Sequence, residues 1–176
     1  IAEKSDGTIW FGDYDGLTIL NPSPTYNWSS YTMNDGLPFG GINYTAFDSN
    51  GDAWLGSGLG GLIKFDGSAF EIFNQNNGII NNKVRSVLID RQDNKWVGTA
   101  EGLTVLNSSN AFVTNHTKML ILSPPDTLNP VEDLAIDSQG NIWTGIYVDY
   151  LVTEGGVAVY DGNFWADFDV SHGLVG

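Results

Sequence analysis

Residues 48–67 read DSNGDAWLGSGLGGLIKFDG, and variants of this phrase occur four times along the 176 residues of the chain. Its central part reads SDGTIWFG, SNGDAWLG, RQDNKWVG and SQGNIWTG, with Trp at positions 10, 54, 96 and 143. Each Trp leads through a Gly-containing turn into a second apolar stretch, which reads DGLTIL, GGLIKF, EGLTVL or GGVAVY. Short apolar stretches separated by such turns are typical of β-strands, and here they recur as one repeated unit.

A third segment of the repeated unit is an alternating strand that ends in Asp. It reads INYTAFD, VRSVLID and VEDLAID and places Asp48, Asp90 and Asp137 six residues before the next Trp. With an aromatic segment added, each unit holds about four short strands, which is the pattern of a propeller blade. The sequence therefore predicts an all-β fold, a β-propeller domain or part of one with four blades of about four antiparallel strands. The repeats span about 1–44, 45–87, 88–133 and 134–176.

The four repeated Trp are expected to pack between neighbouring blades, because a repeating core needs a large side chain at an equivalent depth in each blade. Both ends of the sequence fall inside the repeating unit, since IAEK at 1–4 aligns with TAFD at 45–48. The four units either close on themselves with an imperfect seam or are a window on a longer array. We favour the longer array, because four is the smallest blade number of typical propellers.

The amino-acid composition argues against several classes of function. The chain has 7 Lys and Arg against 21 Asp and Glu, a net charge of −14, and no Cys. This charge opposes binding to nucleic acid or anionic lipid, and the lack of Cys excludes disulfides and thiolate metal sites. No apolar run approaches the roughly 20 residues that cross a bilayer, so membrane insertion by this segment is not expected. Abundant Gly and aromatic residues favour short strands joined by tight turns, and a charged fraction of only 16% with abundant Asn is the profile of an extracellular β protein.

The phrase D-x-x-G-x-x-W-x-G followed by G-G-L resembles the two-component regulator propeller repeat, and it does so most closely at 48–67. This resemblance implies a propeller in the periplasm or at the cell surface that senses ligands, often oligosaccharides. It implies no catalytic residue. The sequence departs from the pattern at Lys4, where Asp is expected, at Asp93-Asn94 in place of the turn Gly, and in the insertion IYVDYLVTE of the fourth copy.

Aromatic residues that break the repeat are the candidates for ligand contact: Trp28, Phe39, Tyr147, Tyr150 and Trp165. Tyr147 and Tyr150 belong to the insertion, and insertions in repeat proteins map to loops that often form binding faces.

No metal or cofactor is predicted. DSNGD at 48–52 looks like a calcium loop but lacks the later Glu, so its Asp is expected to accept backbone hydrogen bonds in a tight turn. The two histidines, His116 and His172, have no metal-ligand spacing, and His172 takes the turn position that Asp35 and Asn77 take in other copies. No catalytic residue is assigned.

Four sequons mark Asn27, Asn43, Asn107 and Asn115 as possible glycosylation sites in an exported chain, with Asn43 disfavoured by its place on a predicted strand. The leading hypothesis is a non-catalytic extracytoplasmic binding or sensing module for an oligosaccharide or a protein. One alternative is an assembly protein that polymerises through an incomplete edge blade by strand addition. The other is a propeller-type lyase or hydrolase that relies on the two histidines.

Overall fold

The fold is an all-β propeller arrangement of four blades, as the repeats predict. The structure is a computed structural model that describes residues 1–22, 24–120, 129–146 and 155–174. These residues form sixteen strands in four antiparallel sheets, and each sheet takes its four strands in chain order. In the described part of the chain, the helices are three single 3-10 turns, and no helix is long and apolar enough to cross a membrane.

The strands of each sheet occupy equivalent positions in the four repeats. Sheet 1 contains β1 (Ala2–Glu3), β2 (Ile9–Gly12), β3 (Leu17–Asn21) and β4 (Asn27–Tyr31). Sheet 2 contains β5 (Ile42–Phe47), β6 (Ala53–Ser57), β7 (Leu62–Phe65) and β8 (Phe70–Phe73). Sheet 3 contains β9 (Val84–Ile89), β10 (Lys95–Thr99), β11 (Gly102–Leu106) and β12 (Phe112–His116). Sheet 4 contains β13 (Val131–Ile136), β14 (Ile142–Ile146), β15 (Gly156–Tyr160) and β16 (Trp165–Phe168).

This strand order gives the molecule two rims. The turns that join first to second strands, at 4–8, 48–52, 90–94 and 137–141, lie at one end of the sheets, which we call the lower rim. The turns that join second to third strands, and the linkers between sheets, lie at the opposite end, the upper rim. Two linkers begin with a 3-10 turn, at Met33–Asp35 and Gln75–Asn77, and a third such turn, Val170–His172, follows the last strand of sheet 4.

Each sheet packs on the next one in chain order. Trp10 is buried with Leu17 of its own sheet and Leu55 of sheet 2. Trp54 is buried in the same way between sheets 2 and 3, and Trp96 between sheets 3 and 4. The prediction that the repeated Trp fill the space between blades is therefore confirmed for these three residues. Trp143 of sheet 4 is only partly buried.

The repeated Asp organises the lower rim. Oδ1 of Asp48 accepts hydrogen bonds from the backbone N–H groups of Asn50 and Asp52, each at 3.0 Å. Oδ2 of Asp48 accepts the indole N–H of Trp54 at 2.9 Å. Asp90 and Asp137 make the same bonds to their own turns and to Trp96 and Trp143. The expected bonds to the turn backbone are confirmed, and the bond to the indole is an addition that the sequence analysis did not anticipate.

Two departures from the repeat have structural explanations. Where Lys4 replaces the Asp, the indole N–H of Trp10 donates to Oγ1 of Thr8 at 3.0 Å, and the Thr8 hydroxyl donates to Asp6 at 2.6 Å. Asp93 takes the position of the turn Gly with a φ of 65°, a left-handed conformation that Asp tolerates. Its carboxylate accepts the backbone N–H of Ser49 in sheet 2 at 3.0 Å, so this turn links two sheets.

Candidate functional site

A pocket opens on the upper rim between sheets 1 and 2. The turn between β2 and β3 forms one side, and the linker from β4 to β5 forms the other. The pocket holds about 120 Å³, and it is lined by Tyr14, Asp15, Gly16, Met33 and residues 37–42. Asp15 is the only carboxylate among these lining residues, and none of them is Lys or Arg. The site therefore offers apolar surface and backbone polar groups rather than a binding place for anions.

Two consecutive glycines hold the linker close to its neighbours. Gly40 and Gly41 both have positive φ angles, of 118° and 67°. A Cβ on Gly40 would lie 2.6 Å from the backbone nitrogen of Leu59, and one on Gly41 would lie 2.8 Å from the carbonyl oxygen of Asp13. The backbone N–H of Gly58 donates to the carbonyl of Gly40 at 3.1 Å and ties the linker to sheet 2. Only Gly at these two positions permits this close approach.

Exposed apolar side chains surround the pocket. Tyr14 is 74% exposed and Phe39 55% exposed, and their rings meet edge to face with centroids 6.3 Å apart. Met33 and Leu59 are also more than half exposed. A solvent-exposed patch of several large apolar side chains is typical of an interaction site. We call these four residues the Tyr14–Phe39 platform.

Of the other candidate ligand residues, the two that the structure describes, Trp28 and Trp165, lie away from this platform. Trp28 lies on the outer face of sheet 1, where its ring is 6.0 Å from that of Phe11. Trp165 lies in β16, half-buried, and its indole N–H donates to Nδ1 of His116 at 3.2 Å. Tyr147 and Tyr150 lie outside the described residues. Their role in ligand contact stays a prediction.

Sequence reasoning missed Tyr14 and Leu59, although the criterion that selected Phe39 would have found Tyr14. The residue equivalent to Tyr14 in sheet 3 is Ala100, and the linker residue equivalent to Phe39 is Asn81. Both aromatic residues therefore break the repeat at the same rim. Leu59 has no aromatic ring to select, and it lies in the turn GSGLGG of sheet 2, which has one residue more than the equivalent turns of sheets 1 and 3.

Both histidines have structural contacts. Burial among the rings of Trp96, Tyr160 and Trp165 lowers the pKa of His116. Nδ1 of His172 lies 3.0 Å from Oδ1 of Asp169 at the start of a 3-10 turn, so His172 is a turn variant, as predicted. Among the described residues, no three His, Cys, Asp or Glu side chains converge to form a candidate metal site.

The four sequon asparagines differ in accessibility. Asn27, Asn43 and Asn115 are exposed, on β4, β5 and β12. Asn107 is half-buried, and its side-chain oxygen accepts the backbone N–H groups of Ser109 and Ala111 in a turn. Glycosylation at these four positions remains a prediction.

Comparison with known proteins identifies the fold. No family profile matches the chain, and no curated protein is similar enough in sequence to be matched. Among solved structures, the extracellular domain of a hybrid two-component system from B. thetaiotaomicron superposes with a TM-score of 0.73 at 22% identity. That match covers 93% of this chain and 21% of the other. It supports the resemblance to the two-component regulator propellers at the level of the fold.

Two further neighbours have other functions. Virginiamycin B lyase from Staphylococcus aureus, a catalytically inactive form with quinupristin, superposes with a TM-score of 0.72 at 11% identity, over 96% of this chain and 54% of its own. PorZ, a surface component of the type-IX secretion system of Porphyromonas gingivalis, superposes with a TM-score of 0.59 at 15% identity. That match covers 89% of this chain and 23% of PorZ. The chain thus spans about a fifth to a half of these proteins, and the likeness concerns their fold alone.

Proposed function

We propose that this chain is a non-catalytic binding module that acts outside the cytoplasm, in the periplasm or at the cell surface, and takes a neutral oligosaccharide on the Tyr14–Phe39 platform. The observation that carries the proposal is the platform itself, two exposed aromatic rings held beside a fixed backbone pocket. Aromatic rings contact the apolar faces of sugar rings, and backbone carbonyl and N–H groups form hydrogen bonds with the sugar hydroxyls.

The size of the pocket supports a chain-like ligand. A volume of about 120 Å³ is smaller than the roughly 300 Å³ at which pockets begin to enclose a whole small molecule. It accommodates one unit of a longer ligand, whose next units would lie across the exposed rings. The net charge of −14 and the carboxylate of Asp15 disfavour acidic glycans, so the proposed ligand is neutral.

The location outside the cytoplasm is supported by the neighbours. Two of the similar solved structures are extracellular domains of hybrid two-component systems, and a third belongs to a bacterial surface component. The virginiamycin B lyase likeness supports the fold, whereas the contacts of both histidines here support structural roles for them.

A glycan array followed by calorimetric titration tests the proposal. We expect neutral oligosaccharides to bind, and we expect Tyr14→Ala and Phe39→Ala each to weaken binding by about twofold to tenfold, the effect of losing one aromatic contact. Tyr26→Ala is the matched control, because Tyr26 is equally exposed but lies in the turn between β3 and β4 at the lower rim. An array without any bound glycan, or equal losses in all three variants, would overturn the proposal.

A further inference from the structure

Two polar side chains beside the Tyr14–Phe39 platform have no bonding partner in the part of the chain that the structure describes. One is the carboxylate of Asp15, a residue that lines the pocket. The other is the amide of Asn43, which directly follows Ile42 of the pocket lining. Both residues are exposed. The two polar groups can therefore bond to a ligand that lies on the platform.

The neighbouring carboxylates bond to the turns in which they lie. Oδ1 of Asp13 accepts the backbone N–H groups of Asp15 at 2.8 Å and of Gly16 at 2.9 Å. Oδ2 of Asp35, in the 3-10 turn of the linker, accepts the backbone N–H of Thr32 at 2.8 Å. These two carboxylates stabilise the local backbone. The backbone of Asp15 is thus held in place by its neighbour, while its own carboxylate oxygens face no donor of the described residues.

The two polar side chains belong to the two sheets that the linker joins. On the side of sheet 1, the backbone N–H of Ile42 donates to the carbonyl of Asp13 at 2.8 Å, which ties the linker to the turn that carries Asp15. On the side of sheet 2, a Cβ on Gly58 would lie 3.2 Å from Nδ2 of Asn43. The amide therefore lies against the turn between β6 and β7. Each sheet thus contributes one polar side chain to the platform.

We propose that Asp15 and Asn43 determine the specificity of the platform, and that they select an oligosaccharide of at least two units with a free pair of neighbouring hydroxyls. The carboxylate of Asp15 accepts hydrogen bonds from the two hydroxyls of the sugar in the pocket. The amide of Asn43 bonds to the adjoining sugar. This inference rests on the proposed function, which places an oligosaccharide on the platform.

The chemistry of the two side chains supports these roles. An ionised carboxylate only accepts hydrogen bonds, and its two oxygens match the two donors of neighbouring sugar hydroxyls. Such charge-assisted bonds are roughly twice as strong as bonds between neutral groups. An amide both donates and accepts, so it can bond to a hydroxyl in either direction. A site built to bond a hydroxyl rejects a ligand that lacks it, because the site's polar group is then left unpaired. Asp15 should therefore discriminate against deoxy sugars.

Calorimetric and NMR titrations with gluco-, galacto-, manno- and xylo-oligosaccharides of one to four units test the inference. We expect Asp15→Asn to weaken binding about tenfold at every ligand length. Asn43→Ala should weaken binding of ligands with two or more units about threefold to tenfold and leave binding of the single sugar unchanged. Circular dichroism shows whether each variant is folded.

Two control variants match these changes. Glu101→Gln removes the same charge at the equivalent position of the turn between β10 and β11, so it measures the effect of net charge alone. Asn50→Ala removes an exposed amide from a turn at the lower rim, away from the platform. We expect both control variants to bind every probe as the wild type does.

Deoxy forms of the probe that binds most tightly test the paired hydroxyls. Replacing either hydroxyl by hydrogen should weaken binding to the wild type about tenfold and weaken binding to Asp15→Ala no further. If Tyr14→Ala weakens binding but Asp15→Asn binds like Glu101→Gln, this inference is overturned and the proposed function stands. Tighter binding of a sugar with a free amine than of its hydroxyl counterpart would also overturn it, because Asp15 would then select a cation. If no probe binds the wild type, the proposed function itself fails.

Discussion

The indole N–H of Trp143 donates to Oδ2 of Asp137 across 3.1 Å. This bond, together with those from Asn141 and the backbone of Gln139, lowers the pKa of Asp137 to about 2. The carboxylate thus joins the turn at the lower rim to the strand that carries the repeated Trp. The same pair recurs as Asp48 with Trp54 and as Asp90 with Trp96, so one bond stabilises three of the four sheets.

Asp137→Asn should make the stability of the protein less dependent on pH in the acidic range. An unfolded Asp has a pKa of about 3.9, so the ionised Asp137 stabilises the fold above that pH. This stabilisation is lost as the pH falls toward the folded value of about 2. We expect the difference in melting temperature between wild type and variant to be largest above about pH 4 and to shrink toward pH 2. A difference that is the same at every pH would contradict the assignment.

Trp54→Ala and Trp143→Ala should differ although they change equivalent residues. Trp54 is fully buried, so its truncation should cost about 3–5 kcal/mol of the free energy of unfolding. Trp143 is partly exposed, and its truncation should cost distinctly less. Urea unfolding measures both values, and equal losses would show that burial is not the cause.

Gly98→Ala and Gly145→Ala form a second matched pair. A Cβ on Gly98 would lie 2.7 Å from Cγ1 of Val131, so the variant should be destabilised by about 1–3 kcal/mol through overpacking. The described residues leave the space around Gly145 open, so Gly145→Ala should be neutral or slightly stabilising. Chemical denaturation distinguishes the two, and a loss at Gly145 as large as that at Gly98 would show that the contact with Val131 is not the cause.

His116 should titrate below its ordinary pKa of about 6.5, because burial disfavours its charged form. Since Nδ1 accepts the indole N–H of Trp165, the neutral ring carries its proton on Nε2. The unfolded chain binds the proton more readily, so stability should decrease as the pH falls below about 6.5. NMR titration of the His116 ring measures the midpoint, and His116→Gln should reduce the slope of stability in that range.

The blades could be predicted because their signals are local. Turn residues, strand alternation and the recurring Trp all lie within one short repeat, and each copy reports the same structure. The departure at Lys4 could be noticed but not explained, because Thr8 and Asp6 replace the missing carboxylate through a chain of hydrogen bonds. Such a relay depends on side-chain directions that the sequence pattern does not contain.

The candidate site was predicted less well. Phe39 was selected because it breaks the repeat, and it lies on the platform. Trp28 and Trp165 satisfied the same criterion but lie on strands, at the face of sheet 1 and between sheets 3 and 4. A break in the repeat identifies an unusual residue, but it does not say whether that residue faces a rim, an open face or a neighbouring sheet.

By itself, the sequence determined the repeated unit, its strands, and the Trp that fill the space between sheets, because alternation and turn chemistry act between residues close in the chain. Only the tertiary structure decided that Tyr14 and Phe39 meet and that Trp143 is partly exposed while Trp54 is fully buried. Those outcomes depend on how separate sheets stack and how the linker at Gly40 and Gly41 packs against its neighbours. Packing between distant segments is set by the whole arrangement of the chain, so no local pattern encodes it.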